Sequence, residues 1–165
     1  MKERAQFVTL GQFAGKRVQM NVRIASTGFC APPRVETAEE LAPRIGKSAD
    51  WIIHHTGVAR RRIAEVPMEV MAASAARQAI GDGPPPDLVI NASLTPRQLI
   101  PDSSVFIQRE LGLEGTPSFS IHATCLSFLV ALHNAAALIS SGAYSRILIV
   151  SSEVGSLSRN FDEPE

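Results

Sequence analysis

The residue best suited to chemistry is Cys125, in the run Ser120-Ile121-His122-Ala123-Thr124-Cys125-Leu126-Ser127-Phe128. An apolar strand there turns into a helix. A thiol at that junction faces backbone N–H groups that lack helical partners and the positive end of the helix dipole. Both stabilise negative charge, and a nucleophilic sulfur carries it as the thiolate. From Cys125, the offsets +3, +4, +7, +11 and +14 are Phe128, Leu129, Leu132, Ala136 and Ile139. That apolar spacing predicts a buried helix with the sulfur at its inner end, the base of a tunnel. Free cysteines also serve as small buried hydrophobes, and position alone does not choose between the two uses.

The other candidates are weaker. His122 lies three residues before Cys125 on a strand, and His133 lies two helical turns beyond it, too far for a direct hydrogen bond. His54 and His55 adjoin Trp51, so a Cys–His pair within this chain is not expected. Cys30 and Cys125 are too few for a disulfide framework and have no zinc-type spacing, which makes a reducing cytoplasm the default.

The elements that must position these residues follow from pattern and punctuation. Asn21 to Gly28 reads as a strand, with residues 1–19 an N-terminal extension and the domain, 20–165, opening near Met20. Thr37 and Glu40 form a capping box for a helix from Ala38, and a second helix runs from Ser48 to Gly57. A third spans Met68 to Ile80, before the breaker Gly81-Asp82-Gly83-Pro84-Pro85-Pro86. Leu88 to Ala92 is a short apolar run, the mark of a strand buried on both faces; Phe119 to Ala123 is another strand, and Arg146 to Ser151 a third, apolar one. A helix opens at Pro101-Asp102-Ser103-Ser104 and ends near Gly112, and another runs from Cys125 to about Ser140. Strands alternating with helices predict an α/β layered domain around a largely parallel sheet.

Composition narrows the class further. Of the 165 residues, 45% are hydrophobic and 19% charged, the balance of a globular chain. Sixteen basic residues match sixteen acidic ones, so no net field favours nucleic acid or an anionic membrane. No apolar run reaches the roughly 18 residues of a membrane span. No G-x-G-x-x-G or Walker pattern follows any strand, which argues against a nucleotide-binding domain.

The motif Ile121 to Phe128 resembles the active-cysteine motif of the β-ketoacyl-acyl carrier protein synthase III family, in the thiolase superfamily. Other segments resemble that family in the same order. They are Trp51-Ile52-Ile53-His54-His55-Thr56-Gly57-Val58 with Arg60-Arg61-Arg62-Ile63-Ala64, then Pro101-Asp102-Ser103-Ser104 through Leu111-Gly112-Leu113. Ser151-Ser152-Glu153-Val154 with the tail Asp162-Glu163-Pro164-Glu165 completes the set. The resemblance covers about residues 21 to 165 and implies the N-terminal half of a thiolase-like layered αβαβα fold.

It implies a function as well: an acyltransferase performing decarboxylative Claisen condensation in fatty-acid or polyketide-type biosynthesis. Cys125 would take the acyl group from an acyl-CoA and supply one oxyanion donor through its backbone N–H. A malonyl thioester would then lose carbon dioxide and attack the acyl-cysteine. In the family the second donor comes from a glycine turn, and a His and an Asn assist decarboxylation. All three belong to the second half of the fold, beyond Glu165.

By the same resemblance Trp51 stacks on the coenzyme A adenine, with His55 where the family often has an arginine. Arg60, Arg61 and Arg62 fit the CoA phosphates or an acidic helix of acyl carrier protein, and equally a solvated basic turn. Ile100 closes the acyl tunnel of a dimer partner, and Phe128 counts among the substrate-binding residues. No permanently bound cofactor or metal is implied, coenzyme A thioesters being substrates. Ser120 stands where an aspartate is common, and Leu126-Ser127 where the initiation enzymes have a small pair. The Cys125-Leu126-Ser127-Phe128 form looks more like relatives handling longer or unusual acyl chains, or secondary-metabolite synthases. Half a fold leaves an apolar seam at Leu129, Leu132 and Ile139, so a complementary C-terminal half or a homodimer partner is expected. The alternative is a non-catalytic half-domain that pairs with a complete synthase as an assembly or chain-length subunit.

Overall fold

The computed structural model describes residues 12–13, 16–17 and 20–161. Strands β1 (Gln12–Phe13) and β2 (Lys16–Arg17) pair antiparallel. The rest of the expected extension, and the tail from Asp162, lie outside the described residues.

Strand β3 (Val35–Thr37) leads into α1 (Ala38–Ile45) through the expected capping box. Glu40 N–H donates to Thr37 Oγ1 at 3.3 Å, and Thr37 N–H donates back to the Glu40 carboxylate at 3.2 Å. Helix α2 (Ala49–Thr56) is capped by Ser48 and stopped at Gly57, whose φ of 70° is the left-handed region that glycine enters freely. Strand β4 (Arg60–Arg62) then returns antiparallel to β3, placing Val35 opposite Arg62. Ala38, Leu41 and Ile52 form the small core of this helical pair, with Trp51 packed against it.

Downstream stands a three-layer α/β unit. Helix α3 (Met68–Ile80) and α4 (Ser103–Glu110) cover one face of a sheet, and α5 (Ser127–Ser140) covers the other. The sheet has the order β6 (Ser118–Ser120), β5 (Leu88–Asn91), β7 (Ile147–Val150), and both pairings are parallel. Central β5 is buried throughout. Its side chains alternate: Val89 meets Met68, Ala72 and Ala76 of α3 and Ile107 of α4, while Leu88 and Ile90 meet Ala131 and Ala135 of α5. Full burial of each such aliphatic side chain contributes about 1.5–3 kcal/mol before chain entropy is counted.

The structure departs from the sequence reading at three places. Residues 21–28 form no strand. Ser26 Oγ donates to Ala79 O at 2.5 Å and, just past the run, Phe29 N–H donates to Gln78 Oε1 at 3.4 Å, so the run is tied along α3 and joins no β-ladder. It passes so close that a Cβ on Gly28 would sit 1.9 Å from Ala75 O. Second, α5 starts at Ser127, two residues after Cys125, which lies in a tight turn spanning Thr124–Leu126. Ser127 Oγ accepts from Ala123 N–H at 2.9 Å and donates to Thr124 O at 2.8 Å, which holds that turn apart from the helix.

Third, α5 buries the opposite kind of face from the one expected. Ser127, Ala131, Ala135 and Ala136 are buried, whereas Phe128 and Leu129 are 45% and 57% exposed. Leu132 and Ile139 are half-buried. Small residues let the helix lie close to the sheet, so its large apolar residues point away. The expected seam residue Leu129 is thus uncovered here, and of the predicted stripe only Ala136 belongs to the core.

Candidate active site

All three strands run the same way, so their carboxyl ends, Asn91, Ser120 and Val150, lie on one side of the sheet. That edge is where ligands bind in open parallel sheets, because the connecting loops diverge there. A cavity of about 200 Å³ occupies it. Ala92 and Leu94 come from the loop after β5, Thr124, Cys125, Ser127 and Phe128 from the turn after β6, and Ser151 and Glu153 from the loop after β7. A neighbouring cavity of about 540 Å³, lined in part by Cys30, Arg61 and Arg159, shares Ser151 and Glu153 with it.

Cys125 is exposed in this chain, not sunk at the inner end of a buried helix as the spacing predicted. The physical reason is the Thr124–Leu126 turn described above, which holds Cys125 outside α5. Thr124, just before it, has φ of 49°, a left-handed conformation that is rare for a β-branched residue. Strain of this kind is kept only where surrounding bonds hold it, and here Ser127 Oγ and Thr124 Oγ1 tie down the Ala123–Thr124 backbone. Leu126 N–H donates to Ala123 O and Ser127 N–H to Thr124 O. Cys125 therefore stands at the start of the hydrogen-bonded turn, where N–H groups point outward.

Beneath the cavity runs a chain of polar side chains that sequence inspection did not find. Asn91, fully buried, donates to Ser120 Oγ at 2.9 Å and accepts from Ser93 Oγ at 2.6 Å and Ser93 N–H at 3.2 Å. Ser120 Oγ donates to Asp102 Oδ1 at 2.8 Å, which also accepts Ser104 N–H at 2.9 Å as the N-cap of α4. On the other side Ser152 N–H donates to Ser93 Oγ at 3.0 Å, and Ser152 Oγ donates to Met68 O at 2.9 Å. The helix start at Pro101-Asp102-Ser103-Ser104 was visible in the sequence. Its link through Ser120 to Asn91, in separate strands, was not.

Burial alone would raise the Asp102 carboxyl. Hydrogen bonds from Ser104 and Ser120, with His122 nearby, outweigh it and hold the group below its ordinary value. The folded state thus binds its proton less readily than the unfolded chain. Its stabilising contribution is complete above about pH 4 and is lost as pH falls through the lowered folded value. Asp102→Asn is expected to flatten this part of the acid-unfolding curve, followed by circular dichroism. Superimposable curves for the two proteins would contradict the assignment.

The remaining predicted residues are not gathered at Cys125. Trp51 and His55 stack on α2 with ring centroids 4.1 Å apart and 22° between planes, and Lys47 Nζ lies 5.1 Å from the indole. Arg60 is exposed on β4, Arg61 is half-buried against the larger cavity, and Arg62 donates to Pro32 O and Pro33 O, both at 3.1 Å. Ile100 is 87% exposed on the loop before α4. Only Phe128 shares the Cys125 cavity.

Comparison with known proteins shows what this arrangement is similar to. Residues 119–164 match the family model for 3-oxoacyl-[acyl-carrier-protein] synthase III. The chain is 37% identical over 147 residues to beta-ketoacyl-[acyl-carrier-protein] synthase III of Methylococcus capsulatus, covering 86% of this chain and 46% of that protein. The Laribacter hongkongensis protein of the same name is 35% identical, with coverage of 85% and 45%. Among solved structures, 3-oxoacyl-[acyl-carrier-protein] synthase III from Aquifex aeolicus superposes with a TM-score of 0.79 at 33% identity, over 84% of this chain and 46% of that one. The priming β-ketosynthase of a polyketide biosynthetic pathway gives 0.78 at 29% identity, over 86% and 44%. The chain therefore spans slightly less than half the length of the relatives it matches, and its fold is the corresponding part of a thiolase-like α/β architecture. Its cysteine turn, three-stranded parallel sheet and flanking helices match the N-terminal half of the 3-oxoacyl-[acyl-carrier-protein] synthase III family.

Proposed function

We propose that this chain is the nucleophile-bearing half of a condensing enzyme in fatty-acid or polyketide-type biosynthesis, with Cys125 as the acyl acceptor. The carrying observation is the exposed thiol in the cavity at the carboxyl ends of three parallel strands, on a turn strained at Thr124. Cys125 Sγ attacks the thioester carbon of an acyl-CoA, the coenzyme A thiolate leaves, and the thiol proton goes to it. The oxyanion formed in between is met by the Cys125 N–H.

A malonyl thioester, carried on coenzyme A or acyl carrier protein, then loses carbon dioxide. Its carbanion attacks the acyl-cysteine and expels the Cys125 thiolate. The His and Asn that assist this step in the family belong to a complementary C-terminal half, which also covers Leu126, Phe128 and Leu129. Trp51 and His55 offer a stacked aromatic pair to the adenine of coenzyme A, and Arg60, exposed on β4, offers a cation to its phosphates. The half-domain begins near Met20 and works in the cytoplasm, without a permanently bound cofactor.

Incubation with acyl-CoAs of graded length, followed by peptide mass spectrometry, tests the reading. An acyl increment on Cys125 is the expected result. A native chain that takes no increment, even with the C-terminal half of a synthase III relative supplied, would overturn it in favour of a non-catalytic subunit. Ile100→Ala, in the same assay with both halves present, is expected to extend the longest accepted acyl chain by roughly two to three methylenes, the volume the substitution releases. An unchanged length profile would remove Ile100 from the tunnel.

A further inference from the structure

We infer that Glu153 is a positioning residue for the Cys125 cavity, the carboxylate that locks two of its three walls together. The inference rests on the reading of Cys125 as the acyl-accepting nucleophile. Strands β5 and β7 share backbone pairing as far as Ala92 N–H to Val150 O, at 2.7 Å. Past that rung the link continues through side chains. Ser152 N–H donates to Ser93 Oγ, and the Glu153 carboxylate then takes the next two amides. One oxygen accepts Leu94 N–H; the other accepts Thr95 N–H at 3.1 Å and Thr95 Oγ1 at 2.9 Å.

Leu94 and Glu153 both line the Cys125 cavity, so this grip sets the distance between the wall after β5 and the wall after β7. The gripped residues also begin the loop that carries Leu99 and Ile100, exposed by 89% and 87%. Farther along, the loop is held by Arg97, whose guanidinium pairs with Glu69 and whose N–H donates to Ser103 Oγ at 2.9 Å. Neither of those bonds touches the cavity. Glu153 is the one of these anchors placed in its wall, and charge-assisted bonds to backbone N–H groups suit that task.

The test uses the whole chain and two readouts. Amide exchange at Leu94 and Thr95 is expected to quicken about tenfold or more in Glu153→Ala, the factor that loss of one charge-assisted hydrogen bond corresponds to. Modification of Cys125 by N-ethylmaleimide and by N-hexylmaleimide, quantified by peptide mass spectrometry, reads the wall itself. The ratio of the two rates cancels any change in thiol ionisation, and a loosened wall is expected to shift it toward the hexyl reagent by about threefold or more. Glu153→Gln keeps one acceptor oxygen and restores part of both effects.

Unchanged exchange at Leu94 and Thr95 would overturn the inference. Faster exchange with an unchanged maleimide ratio would overturn it too, leaving Glu153 a structural clamp. A wild-type chain that reacts with both maleimides but accepts no acyl group would count against the acyltransferase reading alone.

Discussion

Replacing Cys125 with alanine is expected to eliminate acyl transfer to this chain, a loss of at least about a thousandfold in labelling rate, because removal of a covalent nucleophile leaves no alternative acceptor. The effect is separable from folding. Cys125 is exposed and packs in none of the hydrophobic clusters, so its truncation should change stability by no more than about 0.5 kcal/mol. Cys30, half-buried in the neighbouring cavity, supplies the control: Cys30→Ala should leave labelling intact. Cys125→Ser keeps the geometry but offers a neutral hydroxyl, a far weaker nucleophile than a thiol, so it should also stay unlabelled. Full labelling of Cys125→Ala, with the increment on another residue, would move the nucleophile elsewhere.

The largest stability effect is expected at Asn91. Its side chain is fully buried and joins β5 to Ser120 of β6 and to Ser93, and through Ser93 to Ser152 beyond β7. Asn91→Leu keeps nearly the same volume and removes every one of these bonds. Ser93 N–H and Ser93 Oγ–H lose their acceptor inside the protein, at about 1–3 kcal/mol each. A total loss of about 2–5 kcal/mol follows, a fall in Tm on the order of 5–15 °C for a chain of this size. Ser93→Ala strands Ser152 N–H in either background but breaks a bond to Asn91 only in the native one, so the double variant should show a recovery of about 1 kcal/mol against the sum of the single losses, a coupling that a double-mutant cycle measures. A loss below about 1 kcal/mol, or no recovery, would mean that the polar chain beneath the cavity carries little energy.

Much of the fold was legible because its signals are local. The Thr37–Glu40 capping box, the Ser48 cap, the stop at Gly57 and the Gly81 to Pro86 breaker act within a few residues, and each element they bound is present. The apolar runs at Leu88 and Ile147 became parallel strands because a helix layer covers each face of their sheet. Misreadings occurred where a partner far along the chain decides. Asn21 to Gly28 has strand-like composition, but the backbone it meets is the last turns of α3, whose carbonyl and side-chain acceptors it uses. For α5 the apolar spacing was real, yet spacing cannot say which of two apolar faces meets the sheet. Ala131 and Ala135 won because small side chains permit the closer approach.

For the site, the sequence by itself singled out Cys125 and its motif, and with them the family that the comparisons support. A nucleophile at a strand–helix junction is a local arrangement of a dozen residues, and such arrangements are written in order along the chain. Only the tertiary structure decided what surrounds that thiol. It assembled the cavity from three loops, ran the Asp102–Ser120–Asn91–Ser93–Ser152 chain beneath it, and closed Glu153 onto Leu94 and Thr95 across 59 and 58 positions of sequence. Hydrogen bonds between residues so far apart depend on which strands become neighbours. In a parallel sheet that order, β6–β5–β7, is set by packing of the whole unit and by no single segment.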